Sequence, residues 1–389
     1  MKTHMMTHMK TLICDLNVYD NGHHIAFVNS ILGHFRDRNE ILFLFNEKAA
    51  GLCKGIKGDD RITLVPEDKL RPDEYSSLQN KFREYRIIEQ FAIENGVQRV
   101  IFLEIDSYQV AIGLSRPQFQ ITGIYFRPFH QIPTRSGGLR TSLKYMLYHW
   151  KKRALFHVLR INKKVEPLFL LNDRSAGQRY PSWFRYLPDP IFDGVGYADG
   201  SQSIRRMLGI SPNAHVLLAF GAMGARKNIT NIVAAYRQAR FSGETVLLLA
   251  GKVRADYRQE FDAAVDTFSD NTDAGKRLIV VDEFVDEALL DSYFKEADTI
   301  LLCYSNFYCS SGLMGKAAQH RKTCIVPDRG LLGTLNQEYE LGYAVDPGDV
   351  PGIAGAMSRA ERHPLPVQGF QRFVEDHHEN AFLRTLLTA

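Results

Sequence analysis

Apolar residues recur along the chain in short runs, separated by longer stretches with helical spacing. In the first half, runs at Thr11–Asp15, Ile41–Phe45, Ile62–Val65, Val100–Leu103, Ile121–Phe126 and Leu168–Leu171 predict buried strands. Ser76–Asn95 and Leu139–Leu159 carry the helical period between them. The second half repeats the pattern. Strands are predicted at His215–Phe220, Thr245–Ala250, Leu278–Val281, Thr299–Cys303 and Thr323–Val326. Helices are predicted at Asn228–Arg237, Tyr257–Phe268, Asp286–Ala297, Gly312–His320 and Val350–Arg362. Such alternation implies α/β architecture, with parallel sheets covered by helices on both faces. The segment Tyr180–Asp193, YPSWFRYLPDPIFD, fits neither period and reads as the linker between two halves. Ligands of such sheets bind beyond the carboxyl ends of the strands, so two facing halves are expected to enclose one deep cleft.

The chemistry concentrates where the second half begins. Residues 217–236 read LLAFGAMGARKNITNIVAAY. A buried strand runs into a glycine turn (Gly221, Gly224), two cations follow (Arg226, Lys227), and a helix starts at Asn228. Backbone N–H groups and two positive side chains around one turn make a place for a phosphate. Cations at a helix start oppose its dipole unless an anion is present. Both side chains are expected to be exposed when the site is empty.

Composition narrows the class. A chain of 389 residues exceeds one ordinary domain. Its 45% hydrophobic and 24% charged content is that of a soluble globular protein. No apolar run approaches the roughly 18 residues of a membrane span, and the opening MKTHMMTHMK is not expected to act as a signal peptide. The cysteines, Cys14, Cys53, Cys303, Cys309 and Cys324, are odd in number and form no C-x-x-C, which predicts reduced thiols of a cytoplasmic protein.

With these segments in view, the second half resembles the donor-binding domain of GT-B-fold glycosyltransferases, most closely retaining family 4 (glycosyl transferases group 1). FGAMGARKNI resembles the family's G-x-x-x-x-(R/K)-K-G loop, and VLLLAGKV (246–253) resembles its next strand. FVDEALLDSYFKEAD (284–298) and SSGLMGKAAQHRKTCIV (310–326) follow in the family's order, then DRGLLGTL and LGYAVDPGD. The likeness covers 214–357; the first half shares only the architecture. The resemblance implies two Rossmann-like domains, an acceptor domain at 1–185 and a nucleotide-sugar donor domain at 186–366. It also implies a C-terminal segment, 367–389, whose helix (Phe370–Leu387) crosses back to the first domain. The family's E-x7-E pair falls at Tyr308 and Lys316, so both carboxylates are missing. Ser310, Ser311 and Gly312 remain to offer hydroxyls and N–H groups to a diphosphate at a helix start, against the alternative that Ser310 is an N-cap.

The first half is expected to bind the acceptor. DLNVYDNGHH (15–24) ends the first strand, with Asn21, Gly22 and His23 facing the acceptor and His24 as a catalytic candidate. Beyond the strand ending near Phe126, Arg127 is a candidate diphosphate contact, and His130 matches the place of the family's cleft histidine. Glu104 and Asp106 are the carboxylates available for sugar hydroxyls.

The implied activity is retaining, metal-independent transfer of a hexosyl unit from a nucleotide sugar to a saccharide or lipid-linked acceptor, in surface polysaccharide or glycolipid synthesis. No cofactor is expected. An inactive GT-B partner subunit and a sugar-nucleotide epimerase are the alternatives. Residues 135–164 carry nine Lys or Arg and no Asp or Glu. Leu139, Leu143, Met146, Leu147, Trp150 and Ala154 share one helical face there. An anionic membrane surface at the inner face of the membrane is the partner this suggests; the alternative is that the face is domain core. No nucleic-acid-binding motif accompanies the patch, so nucleic acid is not expected as a partner.

Overall fold

The computed structural model describes residues 9–18, 24–70, 77–131, 139–192, 203–269, 275–285 and 287–388. The chain divides into two compact units, residues 1–188 with 382–389, and residues 189–381.

In unit 1, β1 (Thr11–Asp15), β2 (Ile41–Asn46), β3 (Ile62–Val65), β4 (Arg99–Phe102) and β5 (Gln120–Gly123) form an all-parallel sheet in the order β3-β2-β1-β4-β5. Its helices are α1 (His24–His34), α2 (Ala49–Leu52), α3 (Glu67–Leu70), α4 (Leu78–Glu94), α5 (Gln109–Leu114), α6 (Leu139–Ile161) and α7 (Arg174–Arg179). Strands buried on both faces read as unbroken apolar runs, and Leu12, Ile13, Phe43, Val100 and Ile101 are fully buried. Ser77 caps α4, its hydroxyl accepting the Asn80 N–H at 3.1 Å.

Two expectations change here. The fifth strand was expected to reach Phe126 but ends at Gly123. Ile124 still donates its N–H to the Phe102 carbonyl at 2.9 Å but also bridges Phe169, and the N–H groups of Phe126 and Arg127 turn onto the Asp106 carboxylate. The expected linker contains a strand. β6 (Leu168–Leu171) pairs in parallel with β7 (Phe184–Leu187), where Phe184 and Leu187 are buried and Arg185 and Tyr186 are half-buried.

Unit 2 holds β8 (His215–Phe220), β9 (Thr245–Ala250), β10 (Lys276–Val281), β11 (Thr299–Leu301), β12 (Thr323–Pro327) and β13 (Gly342–Val345), all parallel, in the order β10-β9-β8-β11-β12-β13. Its helices are α8 (Ile204–Met207), α9 (Ile229–Gln238), α10 (Arg258–Ser269), α11 (Glu287–Glu296), α12 (Gly312–Gln319), α13 (Gly330–Tyr339), α14 (Val350–Arg362) and α15 (Val367–Asp376); α16 (Glu379–Thr388) follows. The expected single helix over 370–387 is thus two. α15 is held in unit 2, where Phe373 and His377 pack on Tyr339 of α13 and the Tyr339 hydroxyl donates to Asp376 at 2.6 Å. Residues 382–389 of α16 belong to unit 1, where Phe382 packs against Phe27 with ring centroids 5.0 Å apart.

In both sheets the strand order reverses beside the first strand, between β1 and β4 and between β8 and β11. Loops leaving neighbouring strands diverge at such a switch point and leave room for a ligand.

Candidate functional site

The switch point of unit 2 is built from the loops after β8 and β11. After Phe220 the chain turns at Gly221 with φ 95°, a backbone geometry that favours glycine. Gly251 after β9 lies so close that a Cβ there would stand 2.3 Å from the Gly221 carbonyl oxygen. Ala225–Lys227 form a single 3₁₀ turn, Asn228 takes the left-handed conformation (φ 61°), and α9 begins. Asn228 Nδ2 donates to the Cys303 carbonyl at 3.1 Å and the Pro347 carbonyl at 2.7 Å. Ser305 N–H donates to the Arg226 carbonyl at 3.0 Å. These bonds lock the first loop to the second.

Lys227 departs from expectation. Its side chain folds under the turn and the residue is only 4% exposed. Nζ donates to the Phe220 carbonyl and to the Tyr304 hydroxyl, the latter at 3.0 Å, and lies 4.5 Å from the Tyr304 ring centroid. Among the described residues no carboxylate pairs with it. A buried ammonium without a counter-ion is expensive unless an anion joins it. Arg226 is exposed as expected, its guanidinium 4.9 Å over Phe307 and 5.6 Å over Tyr304. Sequence reasoning missed Tyr304, whose ring supports both cations.

The loop after β11 carries the other donor candidates. Ser311 is the N-cap of α12 and its side chain makes no cap bond; Gly312, exposed, opens the helix. Ser310 is therefore not the cap. Its hydroxyl donates to Asp189 Oδ2 at 2.7 Å, and removal from water pushes the Asp189 carboxyl up to about 6. Tyr308 backs onto Gly330, where a Cβ would come within 3.3 Å of the Tyr308 Cα. Lys316 turns elsewhere: its Nζ donates to Gln319 at 3.0 Å and faces Asp291 of α11 at 3.7 Å. The structure therefore gathers Gly221, Gly224, Arg226 and Lys227 at the β8 loop, and Tyr308, Ser310, Ser311 and Gly312 at the β11 loop. Lys316 is drawn off to α11.

The switch point of unit 1 has the opposite character. Asp15, at the end of β1, accepts from Asn17 N–H at 2.8 Å and holds His24 Nδ1 at 2.6 Å. Burial works against a charged His24, but the Asp15 carboxylate outweighs it and the His24 pKa is raised. Asn17 Nδ2 donates to Glu104 at 3.3 Å, and Lys81 Nζ donates to Asn17 Oδ1 at 3.3 Å and to Glu84 at 2.8 Å. The Tyr108 hydroxyl also donates to Glu84, at 2.8 Å. Burial first, and Asp106 second, push the Glu104 carboxyl up to about 7. Asp106, also raised by burial, accepts the N–H groups of Phe126 at 2.8 Å and Arg127 at 3.0 Å, while the Arg127 side chain is exposed. The charged residue that closes the apolar run of β1 was the available signal for Asp15. Lys81 and Glu84 sit mid-helix, where nothing local announces a buried pair. Asn21, Gly22 and His23 lie outside the described residues.

His130 stands apart from this network. Its Nε2 meets Asp173 Oδ2 at 2.7 Å, and its ring packs against Phe129 and Phe184 at 6.1 and 5.5 Å. Asp173 also caps α7 through the Ala176 N–H at 2.9 Å. Burial opposes ionisation of Asp173, yet hydrogen bonds from His130, Gln131 and Ala176 hold its pKa well below the usual carboxylate range.

The chain has the GT-B fold. Sucrose-phosphate synthase from Thermosynechococcus elongatus superposes with a TM-score of 0.65 at 14% identity, over 98% of this chain and 96% of that one. Alr3699/HepE from Anabaena, in complex with UDP, gives 0.61 at 11% identity over 98% and 99%. WaaG, a glycosyltransferase involved in lipopolysaccharide biosynthesis, gives 0.63 at 13% identity over 97% of each chain. No protein-family model and no curated protein sequence matches the chain.

Proposed function

We propose that this protein is a glycosyltransferase that moves a hexosyl unit from a nucleotide sugar to a saccharide or lipid-linked saccharide, in surface polysaccharide or glycolipid assembly, from the cytoplasmic side of a membrane. The observation that carries the reading is Lys227, a buried ammonium at the switch point of unit 2 that, among the described residues, meets a carbonyl and a phenol and no carboxylate. A donor diphosphate supplies the missing anion. Arg226 and the uncapped start of α12 add further positive character. Solved structures of the same fold include one holding UDP.

In the proposed reaction the bond between the anomeric carbon and the diphosphate oxygen breaks. A bond from that carbon to the acceptor oxygen forms on the same face, giving retention. The acceptor's proton passes to the departing phosphate oxygen. Lys227, Arg226 and the α12 N–H groups stabilise the diphosphate as it leaves, the work a divalent metal performs elsewhere. On unit 1, His24 held by Asp15 orients the acceptor hydroxyl, and Glu104 and Asp106 receive its neighbours. His130, tied to Asp173, shapes the floor of that half.

A thermal-shift panel of UDP-, GDP- and ADP-sugars tests the reading. At least one is expected to raise the melting temperature of the wild type and to lose that effect in Arg226→Ala/Lys227→Ala. Donor hydrolysis is then assayed on the hit. No shift with any nucleotide sugar would sink the proposal, and binding without turnover would favour an inactive partner subunit.

A further inference from the structure

The outward side of α6 is apolar. Leu143, Met146, Leu147 and Trp150 stand at i, i+3, i+4 and i+7, one stripe of a helix. They are 52%, 39%, 60% and 56% exposed. The stripe is therefore not domain core. The core side of α6 is supplied instead by Phe156 and Leu159, both fully buried. Close packing there is set by Gly113 of α5, where a Cβ would stand 2.2 Å from the Val158 carbonyl oxygen.

The charge along this stretch of sequence has one sign. Residues 107–165 contain eleven Lys or Arg and no Asp or Glu. Lys151 is exposed beside the stripe, and the Arg153 guanidinium lies 5.3 Å over the Trp150 ring. Lys152 points inward, its Nζ 5.8 Å from the Tyr148 ring centroid and within Coulombic range of Asp106 and Glu104.

A contiguous apolar stripe facing water calls for a cover, and cations without carboxylates select an anionic one. Trp at the edge of such a stripe suits the boundary between headgroups and acyl chains. We infer that α6 lies on an anionic phospholipid bilayer, with Leu143, Met146, Leu147 and Trp150 in the headgroup boundary and Lys151 and Arg153 on the phosphates. The same helix turns Lys152 toward Glu104 and Asp106. An acceptor drawn from that bilayer therefore passes a cation on its way to the strand ends of unit 1, which makes the acceptor class an amphiphile with an anionic headgroup. This last step rests on unit 1 being the acceptor half; the docking does not.

The full chain is co-sedimented with vesicles of phosphatidylcholine alone and with vesicles containing about one-third phosphatidylglycerol. Anionic vesicles should bind at least tenfold more tightly than neutral ones. Binding should fade toward 1 M salt, where the Debye length is about 3 Å. Lys151→Gln/Arg153→Gln should lose about fivefold per cation, roughly 25-fold together. Leu147→Glu/Trp150→Glu should lose at least as much. Melting temperature and UDP affinity should match the wild type in both variants, because all four side chains lie outside the core and belong to unit 1, not to the unit proposed to hold the nucleotide. Equal binding to both vesicle types, no binding, or variants that bind like the wild type would overturn the inference. A dimer in sedimentation equilibrium that Trp150→Glu breaks would assign the stripe to a second copy and also overturn it. Vesicle binding without UDP binding would leave docking standing and remove the transferase reading; UDP binding without vesicle binding would do the reverse.

Discussion

At the switch point of unit 2 a buried ammonium, Lys227, meets a carbonyl and a phenol. At the switch point of unit 1 four carboxylates, Asp15, Glu84, Glu104 and Asp106, share His24, Lys81, Asn17 and backbone N–H groups. The same strand order thus frames two sites of opposite electrical character. One sets a cation against no carboxylate among the described residues, and the other gathers four carboxylates. The contrast suits a division of labour in which a diphosphate enters one unit and a hydroxyl-bearing acceptor enters the other. Topology selects where a ligand can sit, while a few residues at the loop roots set the charge it meets.

The largest effect expected is on the cationic side. Lys227→Met should weaken UDP binding by about 1–3 kcal/mol, the range for a charge-assisted hydrogen bond. It should leave the empty protein as stable or more stable, since a buried charge that meets no carboxylate among the described residues becomes apolar. Calorimetry with UDP alongside thermal melts reads both, and undiminished UDP affinity breaks the comparison at its stronger end.

The acidic side is probed by pH. The raised pKa of Glu104 means that the native state binds its proton more tightly than the unfolded chain does. Stability therefore falls as pH rises from about 4.3, the unfolded value, and the penalty is complete above about 7. Glu104→Gln should accordingly be stabilising above pH 7, on the order of 1–2 kcal/mol, and near neutral at pH 4. Melting curves at both pH values check this, and an equal gain at pH 4 would remove the ionisation argument.

A smaller effect, of opposite sign in pH, is expected at His24. Its raised pKa gives a stabilisation present below about 6.5 and lost as pH rises through the native value. His24→Asn should lower stability by about 1 kcal/mol at pH 5.5 and by less at pH 8.5, as urea titrations at the two values would reveal. The smallest effect belongs to Lys316→Glu. It restores the family's motif residue in name but sets a carboxylate against Asp291. The expected outcome is a loss of a few tenths of a kcal/mol, with UDP affinity within about twofold of the wild type. A tenfold gain in affinity would return Lys316 to the donor site.

The sequence made the frame legible because parallel strands buried on both faces leave unbroken apolar runs, and five of them, including β1, β8 and β9, coincide with the predicted bounds. β7 and β13 escaped, one hidden among prolines and aromatics, the other a glycine-led edge strand with a single buried residue. The loop after β8 was legible as glycine turn, cation and helix start. The burial of Lys227 was not, because it depends on Tyr304, which is 77 residues away. The pairing of His24 with Asp15 and of His130 with Asp173 needed the fold for the same reason. The outward stripe of α6 was visible as a periodicity, but periodicity alone does not say which side faces water.

The return of α16 has a bearing on synthesis. Phe382, Leu383 and Leu386 are almost wholly buried, and residues 382–389 belong to unit 1 although they follow all of unit 2 in the chain. Residues 189–381 contain every strand of their own sheet and can close as soon as they leave the ribosome, whereas residues 1–188 emerge first with a gap in their core. The unit translated first therefore finishes folding last, and a fragment expressed as residues 1–188 would expose the seat of Phe382 beside Phe27.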